Sequence, residues 1–249
     1  MPEKQKQMKI IATIPVYGRA ELVRWTIERL YNVNNCFHVI CSGHEPSLKA
    51  VCEASGAEWV EMPNNPLGNK WNAAIKAAQK YNPDAVLFVG SSDWLSANWI
   101  EKVEPYLQDY DLIGKKDCYF TQLYENGIIK TINWGGYANG SSREGEPIGI
   151  GRLFSARCLD KLNWQPVNPD IENSIDYSTL NNIVSVGGKV LNIEDETMMS
   201  LSIGTWKWEN KHIFSRESEY PTARKLNYLE SETIYKEFPE LFKIFNRKV

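Results

Sequence analysis

The chain reads as an α/β protein: a Rossmann-like, mainly parallel sheet flanked by helices, followed by a mixed second half. Three observations predict this. Short apolar runs rich in β-formers recur at Lys9-Ile-Ile-Ala-Thr-Ile14, Phe37-His-Val-Ile-Cys41 and Ala85-Val-Leu-Phe-Val89, each closed by Pro, Ser or Gly. Runs apolar on both faces of a strand belong to buried parallel sheets. Segments of helical period separate them, so that four strand–helix alternations fit within about ninety residues, the spacing of right-handed crossovers. Beyond residue 110 the pattern changes to strands joined by an Asn126-Gly127 hairpin signal.

Element by element, the first strand ends at Pro15, and the helix after Val16-Tyr-Gly-Arg19 carries Leu22, Val23, Ile27, Leu30 and Tyr31 near helical spacing. Ser42-Gly-His44 breaks the second strand. Residues 47–55 form a short amphipathic helix, and Glu58–Met62 a short strand. After the loop Asn64-Asn-Pro-Leu-Gly68, the spacing predicts a helix over 70–81, with Ala73, Ala74, Ala77 and Ala78 against the sheet. A helix-like segment from Ser96 follows the strand at 85–89. Strands are expected near 111–114, 117–124 and 128–134, then a polar Gly-rich loop at 135–145 long enough to be functional. Helices follow at 156–162, at 176–186 and, in the tail, at 230–246. A single domain spans 1–249, with one half over 9–110 and a mixed half over 111–249.

Composition narrows the function. With 28 Lys+Arg against 31 Asp+Glu, the net charge of −3 leaves no general footprint for nucleic acid or an anionic membrane. Five cysteines without a CxxC pair read as reduced thiols, neither a disulfide framework nor a zinc site. A charged start without an apolar signal core, and no run of membrane-spanning length, give a cytoplasmic expectation.

The chain is organised around Phe88-Val-Gly-Ser-Ser-Asp-Trp-Leu95. In open α/β sheets, ligands lie outside the carboxyl ends of the strands. Asp93, just past such an end and after two hydroxyls, suits a divalent cation carrying phosphate oxygens. It also suits a helix or turn cap, and local sequence leaves both open.

Several segments together resemble inverting family-2-type glycosyltransferases of the GT-A fold, which act on nucleotide-diphospho-sugars. Ile14-Pro-Val-Tyr-Gly-Arg19, with Thr26-Ile-Glu-Arg-Leu30, resembles their opening. Asn64-Asn-Pro-Leu-Gly-Asn-Lys-Trp-Asn72 is similar to a loop-and-helix segment, and 88–95 to their strand-plus-DXD element. Here the acidic cluster is thinned: Gly90, Ser91 and Ser92 precede a lone Asp93. The resemblance implies a metal site of Asp93 with His212, holding Mn²⁺ or Mg²⁺. It implies a donor site for a nucleotide-sugar, a UDP-sugar first, at Pro15, Tyr17, Arg19, Glu45, Lys70, Asn72, Ser91, Ser92, Gly151 and Arg152. Tyr17 would stack on a base and Arg19 pair with phosphate, and the helix opening at Lys70 would offer its positive end to an anion.

An inverting transfer needs a base for the acceptor hydroxyl. Counting back from Gly187, as the resemblance prescribes, lands on Asp176, which also suits a helix N-cap. Trp134, Trp206 and Trp208, among polar or Gly-rich neighbours, are candidate stacking faces for the acceptor. A hydroxyl of a glycan, of a protein side chain or of a modified base in DNA is open as that acceptor, and for DNA Lys115, Lys116, Lys130 and Arg143 would form a local basic groove despite the unfavourable net charge. Two alternatives stand beside the transferase: a sugar-nucleotidyltransferase, disfavoured because a Gly-rich loop is missing after the first strand, and a non-catalytic carbohydrate- or nucleotide-sugar-binding protein, kept alive by the thinned acidic cluster.

Overall fold

A computed structural model describes residues 8–125, 129–137, 140–205, 223–225 and 228–242. Two sheets organise them. The larger has seven strands in the order β10-β6-β9-β4-β1-β2-β3, formed by β1 (Ile10–Pro15), β2 (His38–Gly43), β3 (Glu58–Glu61), β4 (Ala85–Phe88), β6 (Leu112–Gly114), β9 (Leu153–Ser155) and β10 (Val190–Asn192). β1, β2, β3 and β4 pair in parallel, β10 is parallel to β6, and β9 runs antiparallel to both neighbours. The three apolar runs become its centre. Ile10, Ala12 and Ile14 are buried on one face with Val39, Cys41 and Leu87, whereas Ile11, Ile40, Val86 and Phe88 are buried on the other. This is the alternation a strand imposes when both faces are covered.

Helices α1 (Ala20–Asn32), α2 (Pro46–Ala54) and α3 (Leu67–Ala78) supply the crossovers, and α4 (Trp99–Val103), α5 (Ala156–Lys161) and α6 (Ile175–Ser185) follow. On α3, Ala74 and Ala78 are fully buried, small enough to let the helix lie close to β1 and β2. The N-cap of α6 is Ser174, so Asp176 stands in the first turn and not at the cap.

The second sheet has the order β12-β8-β7-β11-β5, built from β5 (Asp93–Leu95), β7 (Cys118–Leu123), β8 (Ile129–Trp134), β11 (Ser200–Gly204) and β12 (Ala223–Lys225). A further helix, α7 (Tyr228–Glu237), brings Ile234 into a cluster with Phe238, Trp94, Leu201 and Ile203. Two expectations change. Asp93 opens a strand, because Leu95, Trp94 and Asp93 pair with Ser200, Leu201 and Ser202 of β11. And the boundary near 110 does not divide the sheet, since β6, β9 and β10 complete it from the second half of the chain. No helix among the described residues is long and apolar enough to cross a membrane.

Candidate active site

β4 delivers the chain to the carboxyl edge of the large sheet and β5 carries it into the second sheet. Between them, Gly90, Ser91 and Ser92 make the turn that sets Asp93. The Asp93 carboxylate accepts the Gly90 N–H at 3.0 Å and a hydrogen bond from the Ser202 hydroxyl. Burial pushes Asp93 up to about 6; the Ser202, Gly90 and Arg19 interactions oppose this, and the charge of Asp176 adds to it. A cavity of about 330 Å³ has both aspartates in its wall, Asp93 from β5 and Asp176 from α6.

Asp176 is held in the same manner. Its Oδ2 accepts the Gly149 N–H at 3.1 Å. A Cβ on Gly149 would lie 2.3 Å from Asp176 Oδ1, and one on Gly90 2.3 Å from Asp93 Oδ2. Each carboxylate therefore rests on a glycine, and a Cβ there would push it from its place. Asp176 also stands in the first turn of α6.

The rest of the wall is largely aromatic: Trp71, Phe88, Phe120, Trp134 and Tyr137. Trp71 lies on Phe88 with centroids 3.8 Å apart, Phe120 stacks on Trp134 at 5.9 Å, and Tyr137 meets Trp134 edge-on. Of these only Trp134 stands out in the sequence. The usable signal for another was strand alternation: Cys118 and Phe120 share a face of β7, and Cys118 pairs with Trp134 across the ladder. Trp71 and Tyr137 carry no comparable signal, because a helix and a loop bring them in from elsewhere.

At the mouth, Gly18 and Arg19 both take left-handed backbone (φ 55° and 52°) at the start of α1. That conformation costs a non-glycine residue about 1 kcal/mol or more, and here it turns Arg19 back so that its Nη1 donates to Ser92 Oγ at 3.0 Å. Arg19 also borders a second cavity of about 310 Å³, together with Glu45, Trp25 and Thr205. The Oε2 of Glu45 is buried there without a hydrogen-bond partner. Tyr17, two residues before Arg19, is 60 % exposed, and Pro15 ends β1.

Other expected site residues have partners within the protein. Lys70 donates to the Val16 carbonyl and Asn64 Oδ1, and burial lowers its ammonium to about 8, against the pull of Glu45. Asn72 brackets Val167 through both its carbonyl and its N–H. The N-terminus of α3, expected to face an anion, is closed by the chain itself: Gly68 and Asn69 N–H donate to the Ile171 and Pro169 carbonyls. Gly151 faces Trp99, whose indole N–H donates to its carbonyl. Arg152 is fully buried and donates to the carbonyls of Ile148, Pro147 and Asp176, to Thr179 and to Glu146. Of the basic groove, Lys115 donates to the Asp195 and Met198 carbonyls and Arg143 pairs with the buried Glu146, whereas Lys116 pairs with Glu194 on the exposed surface. Ser91 is buried, its carbonyl accepting from Thr26. His212, Trp206 and Trp208 lie outside the described residues.

Among the described residues, no group of three or more His, Cys, Asp or Glu stands ready to hold a metal ion. What Asp93 offers is one carboxylate beside serine hydroxyls, in a setting that resists its negative charge. This suits a cation that arrives with phosphate oxygens and water, the usual manner of Mg²⁺, and not a resident cage.

No family model matches the chain, and no curated protein matches it in sequence. Solved structures do resemble it. The mannosyltransferase PcManGT from Pyrobaculum calidifontis, in complex with GDP-Man and Mn²⁺, aligns with a TM-score of 0.50 at 10 % identity, over 79 % of this chain and 56 % of that one. A mycobacterial protein aligns with a TM-score of 0.49 at 14 % identity, over 82 % and 68 %. A CMP:2-keto-3-deoxy-manno-octonic acid synthetase complexed with CTP gives 0.45 at 9 %, over 79 % and 89 %. The chain thus spans little more than half of the mannosyltransferase. At such identities the likeness speaks for architecture: a mostly parallel sheet flanked by helices, Rossmann-like and of the GT-A type.

Proposed function

We propose that this chain is a nucleotide-sugar-dependent glycosyltransferase of the inverting kind, moving a sugar from a nucleotide-sugar, a UDP-sugar first, to an acceptor hydroxyl on a glycan or a modified base. The observation that carries the reading is the convergence of Asp93 and Asp176, from two elements far apart in sequence, on one aromatic cavity beside the end of β4. The GT-A-like fold supports it, and in the solved mannosyltransferase the same kind of sheet is found with GDP-Man and Mn²⁺.

Each residue then has a task. Asp176, held on the Gly149 N–H, accepts the proton of the incoming hydroxyl as general base. Arg19, kept in place by Ser92, pairs with donor phosphate, while Tyr17 and Glu45 border the space for the nucleotide. Asp93 would hold the divalent cation, with His212 as its proposed second ligand. A bound Mn²⁺ or Mg²⁺ would supply Lewis-acid stabilisation of the leaving diphosphate. Trp134, and with it Trp206 and Trp208, offers stacking faces to a sugar ring. The aromatic wall excludes water, so that the acceptor outcompetes hydrolysis.

Incubation with a panel of UDP- and GDP-sugars, Mn²⁺ and simple glycoside acceptors, with release of nucleoside diphosphate as the readout, tests the proposal. Release that depends on acceptor and is lost in Asp176→Asn supports it. Binding of nucleotide-sugar with no release from any of them makes the chain a binder, and release of pyrophosphate from a nucleoside triphosphate and a sugar makes it a nucleotidyltransferase.

A further inference from the structure

Next to Asp176 stands a buried ion triad to which the proposed reaction gives no task. Glu146, its side chain 1 % exposed, accepts from Arg143 on both oxygens, from Nε at 2.5 Å and from Nη2 at 2.7 Å, and from Arg152 Nη2 at 3.2 Å. Each guanidinium then reaches on in a different direction. Arg143 lies 3.8 Å over the ring of Tyr137, which lines the cavity, and 5.8 Å from the ring of Tyr177, the neighbour of Asp176 on α6. Arg152 donates from Nε to the Ile148 carbonyl at 3.0 Å and from Nη2 to the Pro147 carbonyl. Its Nη1 donates to the Asp176 carbonyl and to Thr179 Oγ1, both at 2.6 Å. Gly149, which follows Ile148, holds the Asp176 carboxylate through its N–H. The circuit is closed: Asp176 is gripped at its carboxylate by Gly149 and at its carbonyl by Arg152, and Arg152 also fixes the two residues that lead to Gly149.

Taking three charges out of water offsets most of their mutual attraction, so apolar side chains of similar volume would stabilise this place as well or better. What they would not supply is direction, because a guanidinium fork meets a carboxylate in one plane and at fixed angles. We propose that Glu146 is a positioning residue: through Arg143 and Arg152 it locks the Tyr137 wall and the Gly149 support to one another, so that the Asp176 carboxylate meets the acceptor at a set place. The task of Asp176 rests on the proposed reaction; the coupling rests on the geometry alone. Burial pushes the Tyr137 hydroxyl up, with the charge of Asp176 adding to the shift and that of Arg143 opposing it, in keeping with groups held within reach of one another.

The test uses the intact protein and three variants. Glu146→Gln keeps the volume but sets an amide N–H₂ against a guanidinium N–H. Arg143→Met, at a partly exposed residue, leaves Glu146 its pairing with Arg152 and decides the matter should Glu146→Gln fail to fold. Arg143→Lys keeps the charge and loses the fork. In all three, acceptor-dependent turnover should fall roughly tenfold or more, with KM for the donor within about twofold of wild type. Amide exchange read by NMR should quicken roughly tenfold or more at Gly149 and in the first turn of α6, while β1 and β4 keep their protection. Turnover unchanged from an active wild type, Arg143→Lys indistinguishable from wild type, exchange at Gly149 unaltered, or exchange quickened evenly through β1 and β4, as a role in stability alone requires, overturns the proposal. A wild type that transfers sugar from no donor sinks the transferase reading, and the exchange at Gly149 then decides this one by itself.

Discussion

The mouth of the site and its inner cavity are of similar volume, about 310 and 330 Å³, yet they are built in opposite ways. The mouth brings the charged side chains Arg19, Glu21 and Glu45 together with Leu22, Trp25 and Leu48 of the first two helices. Arg19 reaches it through a left-handed turn, Glu45 has a carboxylate oxygen without a hydrogen-bond partner, and Tyr17 projects into solvent. The inner cavity is walled by aromatic rings, and its two carboxylates are fixed from behind by glycine N–H groups. A surface of the first kind suits a ligand that brings its own charges, such as a nucleotide diphosphate. One of the second kind suits reacting atoms, where small displacements matter most.

If that contrast is real, changes in the inner cavity should disrupt catalysis and changes at the mouth should weaken binding. The largest effect is expected for Asp176→Asn, which should lower kcat by about 10²–10⁴ with little change in KM for the donor; steady-state nucleotide release measures both. Close behind, Gly149→Ala should cost roughly 10² in kcat, because its Cβ must displace a carboxylate oxygen 2.3 Å away. Its melting temperature should barely move, since the end of the Asp176 side chain can swing aside. Arg152→Met sharpens the comparison from the other direction. It leaves Glu146 buried with one guanidinium fewer and removes the bracket to the first turn of α6, so a loss of about 3–5 kcal/mol in stability is expected by denaturant titration.

Asp93 links the two regions through pH. Its carboxyl is raised in the folded protein from 3.8 to about 6. A raised acid adds stability below its unfolded value and loses that contribution as pH rises through about 6. At pH 7–8 the buried charge is therefore a net cost, and Asp93→Asn should be more stable there by about 1–2 kcal/mol, discounted for the open cavity. The gain should vanish below about pH 4. On the proposed function, wild-type transfer should fall as pH drops through about 6, with protonation of the carboxylate proposed to hold the cation. The smallest effect belongs to the mouth: Arg19→Ala should raise KM for the donor about tenfold, roughly 1.5 kcal/mol, with kcat nearly unchanged.

The centre of the large sheet was legible because β1, β2 and β4 are buried on both faces, and continuous apolar runs announce that state without help from distant residues. β5 was not. Three residues, one of them charged, form a strand only because β11 arrives from more than a hundred positions away, a pairing no local window contains. β9, antiparallel between β4 and β6, was hidden for the same reason. At the site, Asp93 and Asp176 were legible as carboxylates placed at element ends. Lys70, Asn72 and Arg152 show the limit of that logic. In sequence, a long polar side chain near a helix or a Gly-rich turn is equally suited to a ligand or to a carbonyl of its own chain. Folding supplies Val16, Val167 and Asp176 as those carbonyls.

A crystal of the protein soaked with Mn²⁺ and an unreactive nucleotide-sugar analogue reads the central claim directly. The two-aspartate account predicts anomalous density for Mn²⁺ against Asp93, the diphosphate between it and Arg19, and the sugar ring in the aromatic cavity with its reacting carbon facing Asp176. A diphosphate bound away from Asp93, or a sugar ring outside the cavity that the two aspartates share, would contradict it.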